Sequence, residues 1–160
     1  METKSFIHES DFEVREWVRK NILVKAENID FYNERFSVFD GEYEMNGKKY
    51  FIEIKNRHFK HNQYYTTIIE KFKWSHMSGT TACLCVLFDD GVLFYTPGDL
   101  RENLIAQHEE LVCPNNRASD NSWSMKKKEC VKFLINESRF FSYEKFDCPP
   151  GREIIASEYN

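Results

Sequence analysis

Residues 40–55 read Asp-Gly-Glu-Tyr-Glu-Met-Asn-Gly-Lys-Lys-Tyr-Phe-Ile-Glu-Ile-Lys. The Asn46-Gly47 pair at the centre is a strong two-residue hairpin signal, because both residues tolerate the positive φ that a tight turn demands. It predicts two strands, Arg35–Glu44 and Lys49–Asn56. A two-residue loop fixes the register. Met45 faces Lys48, Glu44 faces Lys49 as an ordinary cross-strand ion pair, Glu42 faces Phe51, and Asp40 faces Glu53. Paired residues share a face and neighbours alternate. Asp40, Glu42, Glu53 and Lys55 therefore share one face. Phe39, Tyr43, Tyr50, Ile52 and Ile54 are expected on the other, toward the core.

Working outward, Ser10–Asn21 reads as a helix, with Val14, Trp17, Val18 and Ile22 at helical spacing. Ser10 and Glu13 have the spacing of a capping box. Beyond the hairpin, Tyr64–Met77 reads as a second helix, with Tyr65, Ile68, Ile69, Phe72 and His76 to one side. Thr81–Phe88 is an unbroken apolar run, the pattern of a central strand covered on both faces. Val92–Thr96 follows as a short strand, then a helix over Asp99–Glu110. Asn115–Lys127 is polar and reads as a loop. Val131–Ile135 reads as a last strand, and the chain from Cys148 as a tail. These elements predict an α/β domain over residues 1–147, a central mixed β-sheet flanked by helices, with 148–160 as a C-terminal tail.

Composition narrows the class. The 160 residues suit one domain, and an aromatic content of 16% argues against disorder. A net charge of −4 excludes a uniformly basic nucleic-acid binder, so any such contact needs a local patch. The five cysteines are odd in number and lack a Cys-x-x-Cys pair, which favours a reducing, cytoplasmic setting. No secretory signal or membrane-length apolar run is read in the sequence.

The chemistry lies on the acidic face of the hairpin. Two carboxylates directly opposite one another repel unless a cation lies between them. A divalent metal fills that role, and Mg²⁺ favours carboxylate oxygens. Lys55 sits one step beyond Glu53 on the same face, where its ammonium reaches the same space. Metal plus lysine suits stabilisation of a pentavalent phosphorus and promotion of an attacking water.

Asp40, twelve intervening residues and then Glu53-Ile54-Lys55 resemble the Asp…Glu-x-Lys motif of the PD-(D/E)XK nuclease superfamily. Phe39 stands where the name-giving proline would be. The resemblance covers Ser10–Phe88, roughly half the chain, and implies a restriction-endonuclease-like core. It also implies a Mg²⁺- or Mn²⁺-dependent nuclease, an endonuclease acting on DNA. Asp40 and Glu53 would hold the metal with the Ile54 carbonyl, and Lys55 would position or help deprotonate the water. The family often adds a glutamate from the first helix, here Glu13, which equally reads as a helix-capping acid. A basic or polar residue after the motif would be Lys71, with Gln63 and Tyr64 as alternatives.

The stretch Lys55–His61 is the dense basic segment near the motif. Arg57, Lys60 and Tyr64 are its candidates for holding phosphates and stacking bases, against a plain solvated loop. Concerted cutting of duplex would call for a homodimer. The competing reading is a non-catalytic nucleic-acid-binding or protein-interaction module on the same fold. A third is an acidic DNA mimic, which leaves Lys55 without a use.

Overall fold

The computed structural model describes residues 9–33, 37–114 and 125–152. Helix α1 spans Glu9–Asn21, followed by strands β1 (Glu27–Phe31), β2 (Gly41–Met45), β3 (Lys48–Asn56) and β4 (Thr66–Glu70). Helix α2 (Lys71–Met77) leads to β5 (Ala82–Leu87) and β6 (Gly91–Tyr95). Helix α3 (Pro97–Asn103), β7 (Leu104–Pro114), β8 (Met125–Leu134) and β9 (Phe140–Ser142) complete the order.

Six strands form a mixed sheet in the order β1-β2-β3-β5-β6-β9, in which β3 and β5 run parallel and the other neighbours antiparallel. A separate antiparallel sheet has the order β4-β8-β7. All six residues of β5 are buried, as its unbroken apolar run predicts. Cys83, Cys85 and Leu87 pack with Val14, Trp17 and Val18 of α1. Leu84 and Val86 point the other way, into a second core with Trp74 of α2, Leu100 of α3 and Val131 and Phe133 of β8. The chain is thus α1, then the large sheet, then a layer of α2, α3 and the small sheet.

The hairpin forms in the expected register. Asn46 and Gly47 have φ of 54° and 75°, and the pairs Met45–Lys48, Glu44–Lys49, Tyr43–Tyr50 and Glu42–Phe51 follow. The first strand is shorter than expected. Its ladder ends at Gly41–Ile52, so Asp40 lies one residue beyond the last pair, with its N–H donating to Ile52 O. Gly41 is where β1 comes closest: an added Cβ would stand 2.7 Å from Asp30 O.

Other expectations are corrected. The helix over Tyr64–Met77 is a strand to Glu70 and a helix only from Lys71. Thr66, Thr67, Ile68 and Ile69 are four consecutive β-branched residues, and pairing with β8 buries Thr67 and Ile69 on alternate positions. The third helix begins earlier and ends sooner, at Pro97–Asn103. Thr96 and Asp99 form a capping box with Pro97 at the first position, and β7 takes over at Leu104. The strand expected over Val131–Ile135 is β8, Met125–Leu134, which absorbs the end of the expected loop and is followed by β9; residues 115–124 of that loop lie outside the described residues. Just before the expected tail, Trp17 Nε1 donates to Asp147 O (2.9 Å); of the tail's described residues, Pro149 is buried and Arg152 donates to Arg57 O (2.6 Å). Residues 153–160 lie outside the described residues. Helix α1 starts at Glu9, so Ser10 falls inside its first turn and not at a capping position. Among the described residues no helix is long and apolar enough to cross a membrane.

The two glycines of the hairpin make separable demands. Gly47 has open space around it but positive φ, so Gly47→Ala is expected to cost about 1–2 kcal/mol from strain alone. Gly41→Ala meets the β1 backbone and is expected to cost more, on the order of 3 kcal/mol. Urea unfolding of both variants measures this order.

Candidate functional site

Because β2 stops at Gly41, the Glu53–Asn56 part of β3 is paired with β5 on one side and has no β2 ladder on the other. A buried backbone N–H left without a partner is costly. The Asp40 side chain supplies the missing acceptor: Ile54 N donates to Asp40 Oδ2 at 2.6 Å. The other oxygen, Oδ1, accepts from Arg15 Nη2 at 3.2 Å. Arg15 is buried in α1 and also donates from Nη1 to Tyr32 O, which ties the helix to the segment leaving β1.

Glu53 is 3% exposed. Its Oε2 lies 3.4 Å from Lys55 Nζ and its Oε1 3.5 Å from Lys73 Nζ. Lys73 comes from α2 and also donates to Val38 O at 2.7 Å, holding the segment before Asp40 against the helix. Burial pushes the Glu53 carboxyl up to about 7, and the negative charge of Asp40 adds to the shift. Lys55 and Lys73 pull the other way without cancelling it. Two carboxylates and three cations, Arg15, Lys55 and Lys73, therefore meet at the point where β2 and β3 part.

The structure brings Asp40, Glu53, Ile54 and Lys55 together, although the first two are not a ladder pair. The alternation of faces fails just before the ladder. Phe39 stacks on Phe51 at 4.9 Å, in the core on the Glu53 side, and not with Tyr43, Ile52 and Ile54. Glu42 and Glu44 also differ from expectation. Lys49 pairs with Glu42 (3.0 Å), whose carboxyl is held below its ordinary range by the hydroxyl of Tyr32 and then by Lys49. Glu44 accepts from Asn28.

Glu13 is exposed and lines the surface beside Trp17, Asp147 and Pro150. Residues two apart on a helix point roughly 200° apart, so the face that presents Arg15 to Asp40 turns Glu13 away. Lys71 pairs with Glu129 of β8 (3.2 Å), and Lys73 is the lysine of α2 that reaches Glu53. Arg57 knits the end of β3 in place, donating from N to Leu87 O and from Nη2 to Ile68 O. Lys60, Gln63 and Tyr64 are exposed on the loop after β3, with Tyr64 set edge-on to Phe59.

Among the described residues no group of three or more His, Cys, Asp or Glu side chains is arranged to hold a metal ion. A metal here would take two carboxylates and complete its shell with a backbone carbonyl and water. That oxygen-only set suits Mg²⁺ or Mn²⁺, since Mg²⁺ commonly uses one or two carboxylates and keeps several waters. Both oxygens of Asp40 accept hydrogen bonds, from Ile54 N and Arg15, while the lysine contacts to Glu53 are long.

No protein-family model, curated protein or solved structure matches the chain. What the coordinates define is a mixed α/β fold with a six-stranded mixed sheet.

Glu53 sets a pH dependence whose sign is fixed. Its carboxyl binds a proton up to about 7 in the folded chain and only to about 4.5 when unfolded. The folded state holds the extra proton between those values, so its stability contribution is full below 4.5 and lost as pH rises through 7. Glu53→Gln mimics the protonated form. It is expected to gain on the natural chain by roughly 3 kcal/mol between pH 4.5 and 8, read from urea unfolding across that range.

Proposed function

We propose that this protein is a Mg²⁺- or Mn²⁺-dependent nuclease that hydrolyses DNA phosphodiester bonds at the Asp40–Glu53–Lys55 cluster. The observation that carries the reading is the meeting of Asp40 and the buried Glu53, with Lys55 on the same strand, where β3 leaves β2. The element order supports the resemblance to the PD-(D/E)XK superfamily. It runs α1, an antiparallel β1-β2-β3 meander, α2, then β5 parallel to β3. The small sheet formed by β4, β8 and β7 is an addition to that order.

Asp40, Glu53 and the Ile54 carbonyl would hold the ion. When bound, it supplies Lewis-acid polarisation of the phosphate and a water of lowered pKa. Lys55 hydrogen-bonds the attacking water and orients it in line with the bond to be broken. The water oxygen bonds to phosphorus as it gives a proton to solvent, the P–O bond to the leaving sugar breaks, and that sugar oxygen takes a proton from solvent; the negative charge added in between falls beside the Lys55 and Lys73 ammonium groups. Arg15 positions Asp40 by holding its second oxygen. Lys60 and Tyr64, exposed on the loop after β3, are placed to contact the nucleic-acid backbone and bases. Two copies of the chain would serve concerted cutting of duplex. Four free cysteines among the described residues, three of them buried, support a reducing, cytoplasmic setting.

One observation favours the second reading, a non-catalytic nucleic-acid-binding or interaction module. Arg15, Lys55 and Lys73 already give both carboxylates cationic partners without a metal.

Cleavage assays separate the two. With Mg²⁺ or Mn²⁺, the full chain is expected to cut duplex, single-stranded or branched DNA. Glu53→Ala and Lys55→Ala should each lower the rate by about 100-fold or more, while Lys71→Ala leaves it near the natural value. No cleavage, with DNA binding unchanged in Asp40→Ala and in chelator, establishes the second reading instead. Metal binding followed by calorimetry in two buffers is expected to release close to one proton below pH 7, because the ion must displace the proton on Glu53.

A further inference from the structure

Helix α1 ends at Asn21 and covers only part of the sheet face beneath it. Beyond its end, Tyr43, Tyr50, Cys83 and Phe94 present an apolar floor, and a cavity of about 610 Å³ opens over it. That size falls among small-molecule sites, which are concave and apolar with a few polar groups. Tyr43 and Tyr50 stack at 5.4 Å, so the floor is flat and aromatic where it meets the hairpin. The cavity lies on the α1 side of β3, whereas Glu53 faces the other core, so it is separate from the metal-site candidate.

The charge at its mouth is one-sided. Lys48 and Arg101 are the charged residues lining it, and no Asp or Glu lines it among the described residues. Both cations are exposed, and Lys48 Nζ stands 5.8 Å from the Tyr50 ring. The threonine hydroxyls at the rim are already engaged: Thr80 donates to Met77 O, Thr81 to Lys49 O, and Thr96 to Asp99 Oδ2. An occupant is thus offered an apolar interior and cationic donors, with no carboxylate to attract a positive group. In a chain of net charge −4 that local excess of positive charge is directional.

We infer that this cavity binds a small amphipathic anion, a molecule with an apolar body and a single carboxylate that reaches Lys48 and Arg101. Gly98 provides a clean way to close it. It lines the mouth, and an added Cβ would lie no closer than 3.8 Å to Arg101 Nη2. The backbone therefore has room for a Cβ there, and Gly98→Trp is the variant chosen to obstruct the opening.

Calorimetric titration of the full chain with dodecanoate below its micellar concentration is the test, with dodecyltrimethylammonium as the charge-reversed control. One dodecanoate per chain is expected, bound at least about tenfold more tightly than the cationic amphiphile. The double variant Lys48→Glu, Arg101→Glu should weaken dodecanoate by about tenfold or more, and Gly98→Trp should abolish it. Equal binding of the two amphiphiles overturns the inference, as does dodecanoate binding that survives Gly98→Trp. A dimer by light scattering that Gly98→Trp converts to monomer also overturns it, because the face would then be an interface between copies of the chain.

Discussion

The 2.6 Å hydrogen bond from Ile54 N to Asp40 Oδ2 sits where the large sheet would otherwise come apart. Strand β3 joins an antiparallel meander on one side to a parallel neighbour on the other, and its last residues outrun β2. A side chain stands in for the missing strand. Once Asp40 is committed to that role, its carboxylate is held near Glu53. Arg15, Lys55 and Lys73 then compensate two acids that burial would otherwise make prohibitive.

The compensation is incomplete in an informative way. Three cations surround the pair, yet burial and Asp40 still hold the Glu53 carboxyl near neutrality. A site of this kind is neither a settled ion pair nor a plain solvated face. It holds a carboxyl poised to titrate near neutral pH between two lysine ammonium groups. Strained electrostatics of this sort concentrate at functional sites, which is why the metal-dependent reading is preferred over a purely structural one. The aromatic cavity on the opposite face of β3 is built on another principle, apolar burial with cations only at the rim, and the two sites share no residue.

Local chemistry made the hairpin legible in the sequence. Asn46 and Gly47 permit positive φ at two successive residues, and a two-residue turn leaves no freedom in the register down to Gly41. The central strand was legible because covering both faces demands an unbroken apolar run. The face of Phe39 was not, because alternation holds only while a ladder continues, and β1 crowds the chain at Gly41. The helix after the motif was misplaced because the partner of Thr66–Glu70 is β8, some sixty residues on, and nothing local announces it. Within α2 it is Lys73, and not Lys71, that reaches Glu53. Arg15 did leave a signal, a charged residue beside the Val14-Trp17-Val18 stripe, on the flank of the buried face of α1. Glu13 lies near the edge of the same stripe, but two residues of helical rotation separate it from Arg15 and turn it away from Asp40.

Anomalous diffraction from a crystal of the full chain soaked with Mn²⁺ above pH 7 tests the central claim most directly. The account predicts one peak between Asp40 and Glu53, about 2.1 Å from an oxygen of each. Absence of a peak there, with both lysines still on Glu53, would contradict it.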